Sequence, residues 1–139
     1  MSFLPEEDRE FLAAKTFSFE EVTAGPGRRA IVVRAVPLPP GKFLARRPDG
    51  ACAAVEVCDV LVMIPDGYPN TTLDSFYTDP FLVLAAGGQP PQNSFGTCCL
   101  FGRNWQFWSR HLNGPHLWRP GIDGLHTYWD LVLNEIRRA

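Results

Sequence analysis

Hydrophobic and polar positions recur with a helical period at the two ends of the chain and alternate in twos between them. In "LPEEDREFLAAKT", residues 4–16, Leu4, Phe11 and Leu12 share one face. Pro5 suits a first helical turn, and Glu6, Glu7 and Asp8 lie where the positive end of a helix favours acids. "IDGLHTYWDLVLNEIRRA", residues 122–139, carries Leu125, Tyr128, Trp129, Val132, Leu133 and Ile136 on one stripe. Asp123 is its expected N-cap, and Arg137 and Arg138 sit at its negative end. Between these helices, "FSFEEVT" (17–23) and "AIVVRAV" (30–36) flank "AGPGRR" and predict a hairpin. "AAVEVCDVLVMI" (53–64) predicts a third, buried strand and "DSFYTDP" (74–80) a shorter fourth. After Pro80 the chain reads as irregular for about forty residues, through "AAGGQPPQNSFG" and "HLNGPHLWRPG". The expected fold class is therefore α+β: an N-terminal helix, a four-stranded antiparallel meander, an irregular segment and a C-terminal helix.

A length of 139 residues suits one domain spanning residues 1–139, large enough to bury a core without disulfides. The formal charge of −2 and the scattered basic residues do not favour a nucleic-acid partner. The amino terminus "MSFLPEEDREF" is acidic where a secretory signal is basic, and no apolar run reaches membrane-spanning length. A cytoplasmic location follows as the expectation, with Cys52, Cys58, Cys98 and Cys99 reduced.

The chemistry concentrates in "NSFGTCCLFGRNWQFWSRH", residues 93–111. Adjacent Cys98 and Cys99 read either as buried packing or as a reactive thiol. Cys52 and Cys58 flank the third strand and read as strand or core residues. Trp105, Trp108, Trp118 and Trp129 read as core, with Arg103, Arg110 and Arg119 placed to pair with carboxylates or stack on rings. The cysteine and histidine spacings match no zinc motif, and "GPGRR" lacks the lysine of a phosphate loop, so no cofactor is expected.

The order of elements, with Tyr68-Pro69 at the exit of the third strand, resembles the ubiquitin-conjugating superfamily. "GTCCL" is similar to that superfamily's Gly-x-x-Cys-Leu, which registers Gly96, Cys99 and Leu100. "WSRHL" and "WRPGIDGLHTYW" resemble its bacterial branch, prokaryotic family E, and the likeness runs over roughly residues 4–138. The resemblance implies a conjugating enzyme that accepts a ubiquitin-like modifier as a cysteine thioester and passes it to an amine. Its implied partners are the modifier, an adenylating activating enzyme and a deconjugating metallopeptidase encoded nearby, with antiviral defence as a setting. Relatives dock the activating enzyme on the first helix and hairpin, where Glu6, Glu7, Asp8, Arg9 and Lys15 are the expected exposed charges.

Cys99 is the expected nucleophile, with Cys98 the alternative register. Where the eukaryotic enzymes have His-Pro-Asn this chain has "QPPQN", so the transition-state donor is open: His111 first, Asn93 second. Asp123 could polarise an incoming lysine, although capping accounts for it. Two rivals use the same residues differently: a non-catalytic binding module of this fold, and a redox sensor built on Cys98 and Cys99.

Overall fold

The computed structural model describes residues 2–15, 17–25, 28–94, 96–110 and 118–139. Helix α1, Glu6–Ala14, begins directly after Pro5, which stands at the N-cap and leaves the first turn to Glu6, Glu7 and Asp8. The strands that follow are β1 (Ser18–Thr23), β2 (Arg29–Pro37), β3 (Phe43–Arg46), β4 (Cys52–Ala54) and β5 (Val57–Ile64). Then come β6 (Phe76–Asp79), β7 (Phe81–Leu84), β8 (Gly96–Leu100), β9 (Arg103–Trp108) and the helix α2 (Leu125–Arg138).

The four strands read from the alternation are neighbours in the expected antiparallel order, β1-β2-β5-β6. The sheet does not stop there. It continues through β9 to β8, and β4-β3-β7 form a second, three-stranded sheet. The segment expected to be irregular after Pro80 therefore contains three strands. "GTCCL" and "RNWQFW" are too short and too mixed in polarity to announce themselves; β9 is stabilised by pairing with β6, and β8 by pairing with β9. The expected third strand is also divided, because Val55 and Glu56 leave the ladder: Cys52–Ala54 joins the small sheet and Val57–Ile64 the large one.

Alternation decides which residues are buried. Ile31, Val33, Val60 and Val62 face α2, which returns Tyr128, Trp129, Val132 and Ile136 into the same core. Phe43 and Leu82 of the small sheet close that core from another side. The opposite face of the large sheet holds a smaller cluster of Ala30, Val32, Leu61 and Trp105.

Two expectations about the helix ends are corrected. The N-cap of α2 is Gly124, one residue beyond Asp123. The Asp123 carboxylate is spent on the preceding turn, accepting from the Arg119 N–H at 2.8 Å and from the Thr127 hydroxyl at 3.1 Å. The acceptors for the Leu125 N–H come from distant sequence: the Tyr68 hydroxyl at 2.8 Å and Asp8 Oδ1 at 3.4 Å. Asp8 is consequently buried, not one of the exposed charges of α1; Glu6, Glu7, Arg9 and Lys15 are exposed.

Candidate active site

Strands β8 and β9 form a hairpin whose two turn residues, Phe101 (φ 52°) and Gly102 (φ 79°), both lie in the left-handed region. Two such residues make the turn whose twist suits a tight hairpin. Phe101 pays a cost of about 1–2 kcal/mol for that backbone, and its ring packs against the Trp105 cluster. The turn fixes the register: Leu100 faces Arg103, Cys99 faces Asn104, Cys98 faces Trp105 and Thr97 faces Gln106.

Successive residues of a strand point to opposite faces, which separates the two cysteines. Cys98 lies on the Trp105 face and is half-buried; Cys99 lies on the other and is exposed. With the sulfurs on opposite sides of an extended strand, a bond between them does not fit, and the redox-pair reading loses its geometry. Cys58 is buried in β5, where desolvation pushes its thiol up to about 12, and Cys52 is exposed on β4. The thiol expected to lie in an irregular loop is thus presented by an edge strand.

Asn104, the cross-strand partner of Cys99, lines an open groove of about 500 Å³ together with Thr97, Gln106, Arg46, Arg47 and Phe81. Asn104 is directly across the hairpin, so the two side chains have Cβ atoms about 5 Å apart, and both residues are exposed. The Asn104 carboxamide makes no hydrogen bond to another described residue. Arg46 stacks on the Phe81 ring at 4.2 Å, and neither Arg46 nor Arg47 is ion-paired to a described acid.

The floor of this groove is held by one buried amide. Gln106 Oε1 accepts from the Thr78 hydroxyl (3.0 Å) and the Leu82 N–H (2.7 Å). Its Nε2 donates to the carbonyls of Leu82 (2.9 Å) and Ser94 (2.7 Å). The Trp108 indole N–H adds a bond to Thr78 Oγ1 at 2.9 Å. Every polar atom of the carboxamide is satisfied, so it locks β7 and the 91–94 turn to β9 without an unpaired buried group.

The arginines anchor the hairpin at both ends. Arg103 bridges Asp59 (2.9 Å) and Asp79 (2.7 Å) while lying over Trp105 at 4.4 Å. Arg110 pairs with Glu135 of α2 at 2.6 Å and lies over Trp108 at 5.2 Å. The Tyr128 hydroxyl donates to the Arg110 carbonyl at 3.0 Å. Trp105, Trp108 and Trp129 are core residues, and half-buried Trp118 packs on Tyr68.

Asn93 stands apart from the thiol. Asn93, exposed with φ 58°, has its carbonyl bonded to the Ser109 N–H at 3.0 Å. Ser109 lies five residues along from Asn104, a strand distance of about 17 Å at ~3.4 Å per residue. His111 lies outside the described residues. The sequence reading passed over Asn104; its signal was the "LFGR" turn, which sets it opposite Cys99 once "GTCCL" and "RNWQFW" are paired.

A meander between two helices, with Tyr68-Pro69 bonded through Tyr68 into the start of α2 and an exposed thiol beyond the fourth strand, describes a ubiquitin-conjugating-like protein. The model of prokaryotic E2 family E matches residues 4–139, and the chain belongs to that family. Membership brings an E2-like conjugating-enzyme fold, ubiquitin-like conjugation as its general chemistry, and a ubiquitin-like modifier and an activating enzyme as the corresponding partners. No curated protein and no solved structure matches the chain. No described helix is long and apolar enough to cross a membrane.

Proposed function

We propose that this protein is a conjugating transferase that carries a ubiquitin-like modifier as a thioester on Cys99 and hands it to an amine. In loading, the Cys99 thiol gives its proton to solvent or a base and the resulting thiolate Sγ attacks the carbonyl carbon of the activating enzyme's thioester. A C–S bond forms to Cys99, the original C–S bond breaks, and the activating enzyme's thiolate leaves with the electron pair. In discharge, a lysine Nζ attacks the same carbonyl, the C–N bond forms, Cys99 departs as thiolate, and the amine loses its proton to solvent or a base. The thiol suits both steps because it is a strong nucleophile and a good leaving group. The observation that carries the reading is the exposure of Cys99 on β8 directly across from Asn104, whose carboxamide is unengaged and which lines a groove with Arg46 and Arg47. The Asn104 N–H groups are the donors for the oxyanion, in place of His111 and Asn93, the first and second donors expected from the sequence, and His111 is kept as the candidate for moving the amine's proton. A deconjugating metallopeptidase and an antiviral setting extend the reading on the strength of the resemblance, and a cytoplasmic location on the strength of the acidic amino-terminal sequence.

The test is a charging assay with the activating enzyme, the ubiquitin-like protein and ATP, resolved on a non-reducing gel with Cys98→Ala and Cys99→Ala in parallel. The expected result is a thiol-sensitive adduct that survives Cys98→Ala and disappears with Cys99→Ala. Binding without an adduct would overturn the carrier and leave a non-catalytic module.

A further inference from the structure

We propose that the open edge of β8 is a docking strand for the extended carboxy-terminal tail of the polypeptide whose acyl group Cys99 carries. This inference rests on the carrier reading and adds to it where, and by which atoms, the cargo is held.

The starting point is how the chain treats its sheet edges, because unpaired strand edges invite pairing and proteins ordinarily block them. The large sheet ends in β1 and β8, the small one in β4 and β7. Strand β1 carries Glu20 and Glu21, the former ion-paired to Arg34. Strand β4 is three residues long. The free side of β7 is closed by Gln106, which bonds both the N–H and the C=O of Leu82 as a neighbouring strand does. Strand β8, Gly-Thr-Cys-Cys-Leu, has no charge, no proline and an unbroken register. Among the described residues nothing pairs with its outer edge, and a Cβ built on Gly96 would meet nothing within 4 Å. Of these edges, the one that among the described residues is neither charged, nor cut short, nor capped by a side chain is the one that carries the exposed thiol.

The turn also decides which backbone groups that edge offers. A two-residue turn closes on a hydrogen-bonded pair, here Leu100 and Arg103, after which bonded and non-bonded pairs alternate. Cys98 therefore turns its N–H and C=O toward β9, while Thr97 and Cys99 turn theirs outward. An added strand runs about 4.8 Å away, and its row of bonds includes the backbone of Cys99 itself. A chain that ends there brings its terminal carbonyl within a side chain's length of Sγ, which a thioester demands. An uncharged edge suits an uncharged extended tail. Pairing β8 with β8 of a second copy would instead cover both thiols.

The test tethers a probe independently of acyl transfer. The heptapeptide acetyl-Val-Thr-Val-Thr-Val-Gly-Gly, ending in cysteamine activated as a pyridyl disulfide, is exchanged onto Cys99 of the full chain carrying Cys52→Ser, releasing pyridine-2-thione. Cysteamine alone serves as the control, and mass spectrometry confirms the site. The tether holds the peptide at millimolar effective concentration. The expected result is amide exchange slowed about tenfold or more at Thr97 and Cys99, with Cys98 unchanged. Thr97→Pro, which deletes an outward N–H without removing a ladder bond, should abolish that protection and slow charging about tenfold. Uniform or absent protection, with a Cys99 adduct still formed in the charging assay, overturns the docking strand and leaves the carrier standing. Alternating protection with no adduct in that assay overturns the acyl tail as occupant. The same alternation in untethered protein, rising with concentration, overturns it in favour of a second copy.

Discussion

At the scale of single residues, the informative contrast is among the polar groups flanking the thiol. Asn93 lies at the far end of β9, its backbone carbonyl bonded to Ser109 and Arg110, whereas Asn104 stands directly across from Cys99. A donor that bonds only the developing oxyanion affects the chemical step more than binding. Asn104→Ala is therefore expected to lose about a hundredfold or more in transfer to an amine, measured by single-turnover discharge of the preformed Cys99 thioester onto free lysine. The same assay on Asn93→Ala should show little change. The asparagine at 104 was visible in the sequence, but its meaning was not, since it depends on a register set by Phe101 and Gly102.

At the scale of elements, the β8–β9 hairpin is shaped by contacts from every side. Gln106 ties it to β6, β7 and the 91–94 turn. Gln106→Leu keeps the volume but leaves the Leu82 N–H and the carbonyls of Leu82 and Ser94 without this partner. At about 1–3 kcal/mol for each buried unsatisfied group, the variant should lose several kcal/mol, seen as a lower urea midpoint, and its groove should loosen. Helix α1 makes a separate claim. Glu6 and Glu7 are exposed while the neighbouring Asp8 is not, so Glu6→Lys with Glu7→Lys should slow charging several-fold if the activating enzyme docks there. The melting temperature should stay unchanged, and normal charging would remove that surface from the reading.

At the scale of the whole molecule, Asp8 joins three distant parts of the chain: α1, the Tyr68-Pro69 turn and the start of α2. Burial raises its pKa, and hydrogen bonds from Tyr68 and the Leu125 amide act against that rise. The folded state therefore holds the proton more tightly than the unfolded one. Stability from this group is fully present below the unfolded carboxylate value and is lost as pH rises through the folded pKa. Measured against Asp8→Asn, the wild-type denaturant midpoint should thus fall as pH rises through the folded pKa of Asp8. The fall should extend to higher pH in Tyr68→Phe, which removes the opposing bond. The sequence by itself determined both helices, the first hairpin and the order of the four-stranded meander, because each is written in local periodicity and turn residues that need no distant partner. It also singled out Cys99 as the candidate nucleophile. Only the tertiary structure decided that the thiol rides on an edge strand, that Asn104 faces it, that Gln106 seals a neighbouring edge and that Asp8 reaches the start of α2. Each of these depends on contacts between residues far apart in sequence or on strand register, and neither carries a period that a linear reading can detect.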